Sequence, residues 1–80
     1  MRLPRDISGR ELVKLLARLG YAELRRESSH IRVETQLGGR HPMTVPDKNP
    51  LRPGMLRKIL RDVEAHHKLK HDELLGLLFG

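Results

Sequence analysis

The sequence predicts a two-layer α+β domain in the order α-β-β-β-α, closed by a short C-terminal helix. Three observations predict it. Residues 8–19 carry leucines at helical spacing, residues 30–37 alternate apolar and polar side chains, and residues 53–63 return to helical spacing behind a proline. Helices at both ends of a run of antiparallel strands pack on one face of the sheet and leave the other face wet. The chain has 80 residues, enough for one small core, so a single domain over residues 1–80 is expected.

The first helix opens at Ser8, with Glu11 three residues on. That pair is a capping box, in which each side chain meets an orphan backbone N–H of the first turn. Ile7 and Leu12 stand at staple spacing, and Leu12, Leu15, Leu16 and Leu19, widened by Val13, form the buried stripe. Lys14 and Arg18 lie on the opposite face, and Gly20 ends the helix as a left-handed residue. From Tyr21 to about Arg26 the period changes, with Ala22 and Leu24 alternating with polar residues, and Glu27, Ser28 and Ser29 read as a turn.

Ile31, Val33, Thr35 and Leu37 then alternate with His30, Arg32, Glu34 and Gln36. A period of two places the first set against the helices and His30 and Arg32 on the solvent side. Gly38-Gly39 marks a hairpin, and His41 to Val45 make a third strand that Pro42 puts near an edge. Pro46 to Pro50 is a loop. Pro53 suits the first turn of a second helix, with Leu56, Ile59, Leu60 and Val63 inward and Arg57, Lys58 and Arg61 outward. Glu64 to Lys70 reads as a charged connector. Asp72 and Glu73 open a last helix whose apolar side is Leu74, Leu75, Leu77, Leu78 and Phe79.

Charge narrows the function. Sixteen Lys and Arg against ten Asp and Glu leave +6. Nine of those cations and only three of the acids fall within residues 25–61, and eleven of the sixteen are Arg. Arginine forks match phosphate oxygens in pairs, so a polyanion, most simply nucleic acid, is the expected partner. There is no cysteine, which removes disulfides and thiol chemistry and fits a reducing compartment; a cytoplasmic location is expected. Residues 1–10 hold no apolar run, so no secretory signal is expected, and nothing nears the length of a membrane span.

Several kinds of chemistry have no residues to carry them. There is no phosphate-cradling P-loop, no His-Glu-x-x-His helix and no carboxylate cluster for two metals. Tyr21 and Phe79 are the only aromatics among Phe, Trp and Tyr, too few for a base-stacking platform. His67 and His71 stand four apart, a spacing that suits a metal on one helix, but Lys68 and Lys70 would repel a cation, so no metal and no cofactor is expected. His30 is the sharpest candidate. It opens a strand on the solvent side, follows two hydroxyl residues, and has Arg25, Arg26 and Arg32 close in sequence. Imidazole exchanges protons near neutral pH, and RNA brings its own nucleophile in the 2′-OH. His30, Ser29, Arg26 and Arg32 could therefore serve RNA cleavage. His41 is a weaker candidate for a second acid or base, and Arg57, Lys58 and Arg61 either grip phosphates or form the wet face of a helix. A binding domain that holds RNA without cutting it is the alternative.

These residues resemble the HicA-type toxins of toxin–antitoxin pairs over about Ser8 to Leu78. The resemblance is carried by Leu19-Gly20-Tyr21, by Arg25-Arg26-Glu27-Ser28-Ser29-His30 where the family usually has Gly-Ser-His, by His41-Pro42 and Val45-Pro46, and by Pro53-Gly54-Met55-Leu56-Arg57-Lys58-Ile59-Leu60. It implies a double-stranded-RNA-binding-like fold and an endoribonuclease that cuts mRNA until a HicB-type antitoxin covers the site. It maps the catalytic histidine onto His30. In a nuclease reading Arg25, Arg26, Arg32 and Lys48 hold and neutralise the phosphates. DNA, which lacks the 2′-OH, is not an expected substrate. Two positions depart from the family. Ser28 replaces the usual Gly and is strained if the turn needs a positive φ. Lys48 stands where many members have His, and supplies only charge there.

Overall fold

The computed structural model describes residues 3–80. Helix α1 spans Gly9–Leu16 and tightens into a 3₁₀ turn at Ala17–Leu19. Its capping box forms as the sequence predicts: Glu11 N–H donates to Ser8 Oγ at 3.0 Å and Ser8 N–H to Glu11 Oε1 at 3.2 Å. Gly20 follows with φ +82°, and a Cβ there would stand 2.7 Å from Thr35 Oγ1, so both backbone and space require glycine.

Three antiparallel strands follow, β1 (Ala22–Glu27), β2 (His30–Thr35) and β3 (His41–Pro46), in the order β1-β2-β3. Ile31 pairs with Val45 and Val33 with Met43; all four are buried. Helices α2 (Pro53–His67) and α3 (His71–Phe79) join α1 over that face. Leu12, Leu16, Leu56, Leu60, Val63, Leu74, Leu75 and Leu78 complete the core with them. Buried Thr35 donates to Leu19 O at 2.8 Å and accepts from Leu37 N–H at 3.1 Å, so its hydroxyl is satisfied. The result is the expected two-layer α-β-β-β-α arrangement of a double-stranded-RNA-binding-like domain, with α3 added and one sheet face bare. No helix among the described residues is long and apolar enough to cross a membrane.

Five details differ from the sequence expectation. All of β1 is exposed, and Leu24 sits 56% exposed at a bulge where the register shifts between Glu23 and Arg25. An edge strand beyond the reach of the helices has nothing to bury its apolar residues against. β2 stops at Thr35, leaving Leu37 outside the core, and Leu77 is exposed because Leu74, Leu75 and Leu78 already fill the space over α1. The connector expected from Glu64 is instead helix: α2 runs on to His67 and ends at Lys68, whose φ of 55° is left-handed. The continuation has a physical cause, since His67 lies one turn beyond Val63 on the same inward stripe and meets Tyr21. Finally, Arg18 does not merely face solvent. Its guanidinium donates to the carbonyls of Leu77 and Leu78 at 3.0 and 3.1 Å, closing the C-terminal end of α3.

Candidate functional site

The β1–β2 turn decides where His30 stands. Glu27 and His30 are paired, leaving Ser28 and Ser29 as a two-residue connection. Ser28 has φ 50° and Ser29 shows no positive φ, the signature of a turn that prefers glycine at its first central position. The strain foreseen for Ser28 is therefore present. Ser28→Gly should stabilise the protein by about 1 kcal/mol, the scale of a left-handed L-residue penalty, read as a rise in urea midpoint at constant slope.

The turn is braced from below. Asp47 N–H donates to Ser29 O at 2.7 Å, and the Asp47 carboxylate takes the Arg10 guanidinium of α1 at 3.2 Å. Hydrogen bonding from Arg10 holds the Asp47 carboxyl below the usual carboxylate range. With its turn fixed, β2 directs His30 and Arg32 to the bare face, opposite buried Ile31 and Val33. His30 is exposed, and its Nδ1 lies 3.4 Å from Ser29 Oγ. Arg32 stands beside it and donates to Thr44 Oγ1 at 3.2 Å.

The bulge in β1 sorts the two neighbouring arginines. Arg25 is the partner of Arg32 and shares the bare face; it is paired with Glu27 at 2.8 Å. Arg26 is the partner of Ile31 and projects to the other side, where it holds Glu23 at 2.7 Å. That hydrogen bond, before any other influence, keeps its guanidinium protonated still more firmly. The structure thus gathers Arg25, Ser29, His30 and Arg32 but separates Arg26 from them. A concavity of about 320 Å³ on the bare face is lined by Arg25, Glu27, Ser28, His30, Arg32 and Thr44. A second groove of about 350 Å³, between β3 and α2, also begins at His30 and includes Lys58. Arg57 lies on another side of α2, among Leu3, Arg61, Glu64 and His71. Lys48 follows the end of β3, beside Pro46 and Met55, and its carbonyl accepts from Gly9 N–H at 2.9 Å.

One constellation escaped the sequence reading. The hydroxyl of Tyr21 lies 2.6 Å from His41 Nδ1 and 3.1 Å from His67 Nε2. His66 stacks on His41 with ring centroids 4.4 Å apart, and its Nε2–H donates to Leu37 O at 2.9 Å. His67 and His71 sit on separate helices, and His71 pairs with Glu64 at 2.8 Å, so the spacing of four joins nothing. Burial, and secondarily Asp62, push the Tyr21 hydroxyl up to about 12. Burial, then the neighbouring His66, holds His41 below the ordinary 6.5, with Asp62 opposing; burial, then His66 and His41, does the same to His67.

The sign of the pH effect follows. Unfolded imidazoles take protons near 6.5, while His41 and His67 in the fold take them only at lower pH. The unfolded state binds more protons in that window, so the contribution of these groups is full above 6.5 and is lost as pH falls through their folded values. Tyr21 acts at the other end: its contribution is full below pH 10 and lost as pH rises towards about 12. Urea midpoints should therefore drop on going from about pH 7.5 to about pH 5.5, and Tyr21→Phe should be destabilised at neutral pH by about 1–3 kcal/mol, since two part-buried imidazoles lose their partner. A midpoint flat with pH down to 5.5 would contradict the arrangement.

An exposed imidazole shares the bare sheet face of this small α+β domain with Arg25 and Arg32, and the helices cover the opposite face. The family model described as HicA toxin of bacterial toxin–antitoxin matches residues 9–65, more than half of the chain, and the chain belongs to that family. The resemblance carried by the sequence motifs is the same. No curated protein and no solved structure matches the chain.

Proposed function

We propose that this toxin is an endoribonuclease that cuts mRNA and arrests translation, with His30 as the general acid–base and a HicB-like antitoxin as the partner that covers it. The observation that carries the reading is His30 itself, exposed on the bare sheet face beside Arg32 and Arg25. The reaction it suits needs little else. A base removes the 2′-OH proton of RNA, the 2′-oxygen attacks the adjacent phosphorus, and the bond to the 5′-oxygen breaks. The leaving oxygen takes a proton, giving a 2′,3′-cyclic phosphate and a 5′-hydroxyl. His30 serves at one of the two proton transfers, and the guanidinium groups of Arg25 and Arg32 stabilise the charge gathering on the phosphoryl oxygens. Ser29 holds the ring through its hydroxyl. Lys58 extends the cationic track along the strand, and Arg26, Lys48 and Arg57, which lie off the His30 face, meet phosphates further from the cut.

The test is incubation of the purified chain with an RNA and with the same sequence in deoxyribose. Cleavage of the RNA alone, with cyclic-phosphate ends and no loss of rate in chelator, supports the reading. RNA retained but unbroken makes the protein a binding domain, and cutting of DNA calls for different chemistry.

A further inference from the structure

The groove between β3 and α2 starts at the same imidazole as the arginine-lined concavity, yet its chemistry is different. Buried Met43 and Ile59, with Pro42 and exposed Met55, give it an apolar lining, and His30 and Lys58 line it as well. Asp62 lines it as the one carboxylate, with no hydrogen-bond partner among the described residues. A carboxylate repels phosphate, so a strand lying here must turn a base towards Asp62 rather than its backbone. Flat apolar walls of methionine and proline suit the face of a base, and thioethers adapt to it. Strand addition is disfavoured, because Pro42 and Pro46 remove two N–H donors from the β3 edge.

We infer that this groove is the base subsite next to the cut, and that Asp62 makes it select guanine. The inference rests on the nuclease reading for the position of the cut. Guanine carries N1–H and N2–H side by side on its Watson–Crick edge, a pair of donors that matches the two oxygens of one carboxylate. Uracil offers a single N–H flanked by two carbonyl oxygens that repel it. Adenine and cytosine each set an acceptor beside their amine. The subsite thus takes a single-stranded nucleotide whose phosphate lies between His30, Lys58 and the arginines of the bare face.

The experiment uses short RNAs identical except for the nucleotide on either side of the cut, with the wild type, Asp62→Asn and Met55→Trp. The wild type should cut the guanine-bearing RNA at least about tenfold faster than the uracil-bearing one, the size of one well-made bidentate base contact. Asp62→Asn should erase that ranking, and Met55→Trp, which fills the groove, should lower kcat/KM for all four RNAs. Equal cutting of the four RNAs by the wild type, or an unchanged guanine preference in Asp62→Asn, overturns the inference while the nuclease reading stands. If the wild type cuts none of them, that reading falls, and the affinities of the same RNAs decide the subsite: a guanine preference lost in Asp62→Asn keeps it, and its absence removes it. Met55→Trp that cuts normally but no longer binds the antitoxin would make the groove a protein-docking edge and overturn the inference.

Discussion

His30→Ala should abolish RNA cleavage and growth arrest together while the fold and the retention of RNA survive. The side chain is exposed, and its one polar contact among the described residues is the 3.4 Å approach to Ser29 Oγ. Removing it empties no cavity and orphans no buried group, so stability should change by about 0.5 kcal/mol at most. A positioned acid–base contributes on the order of 10²- to 10⁴-fold to rate, and a toxin slowed that much no longer outruns mRNA synthesis. In the proposed reading the arginines carry the affinity for RNA, so Arg32→Ala should weaken binding and reduce its salt dependence, whereas His30→Ala should do neither. Paired expression of the wild type and His30→Ala, scored for colony growth and RNA integrity, checks the outcome. Cleavage by His30→Ala at the wild-type rate removes the imidazole from the mechanism.

The bare-face position of His30 was legible because two local signals agree. The alternation from Ile31 to Thr35 fixes which side is buried, and Glu27 to His30 is short enough that the turn cannot alter it. The helix start at Ser8 and stop at Gly20 were legible for the same reason, being written within a few residues. What the sequence concealed depends on distance in the chain. The bulge at Leu24 arises from pairing with β2, so a count along β1 alone does not tell that Arg25 rather than Arg26 shares the face of His30. The Tyr21–His41–His67 cluster joins the residue before β1, the start of β3 and the end of α2, and none of its members has a local signal that separates it from a solvated polar residue. A paired test existed in principle: a lone tyrosine just before a strand, in a chain with histidines elsewhere, needs a partner for its hydroxyl if it is buried.

These hidden contacts share an architectural role. The bare face carries the exposed imidazole, but its geometry is held from the helix side. Asp47 secures the turn before His30 and is itself secured by α1, and the aromatic cluster ties the start of β3 to the end of α2. β3 is thus anchored at both ends, one beside His30 and one beside His41. The groove proposed for the base lies between those anchors, so its width follows from them rather than from the residues that line it.

Gly9→Ala tests the anchor beside His30 and should be among the most damaging single-methyl additions to this chain. A Cβ at Gly9 would lie 1.9 Å from the carbonyl oxygen of Pro46 and 3.4 Å from Asp47 Cα. Gly9 N–H also donates to Lys48 O at 2.9 Å, so the first turn of α1 rests directly on the chain leaving β3. Alanine is the better helix former by up to about 1 kcal/mol, which opposes the effect. The clash is with backbone, however, and cannot be relieved by turning a flexible side chain; overpacking of that kind costs about 1–3 kcal/mol or more and wins. The strain falls on Pro46, the strand partner of His30, and on Asp47, which holds Ser29. The urea midpoint should therefore fall at unchanged slope, and RNA cleavage should fall further than the loss of folded protein explains, although His30 is intact. Gly54→Ala is the comparison: a Cβ there meets nothing within 4 Å, and the added methyl stiffens only the unfolded chain. It should leave cleavage alone and raise stability by about 0.4–1 kcal/mol. A Gly9→Ala protein as stable and as active as Gly54→Ala would mean that α1 does not press on the end of β3, and the support assigned to His30 would have to come from elsewhere.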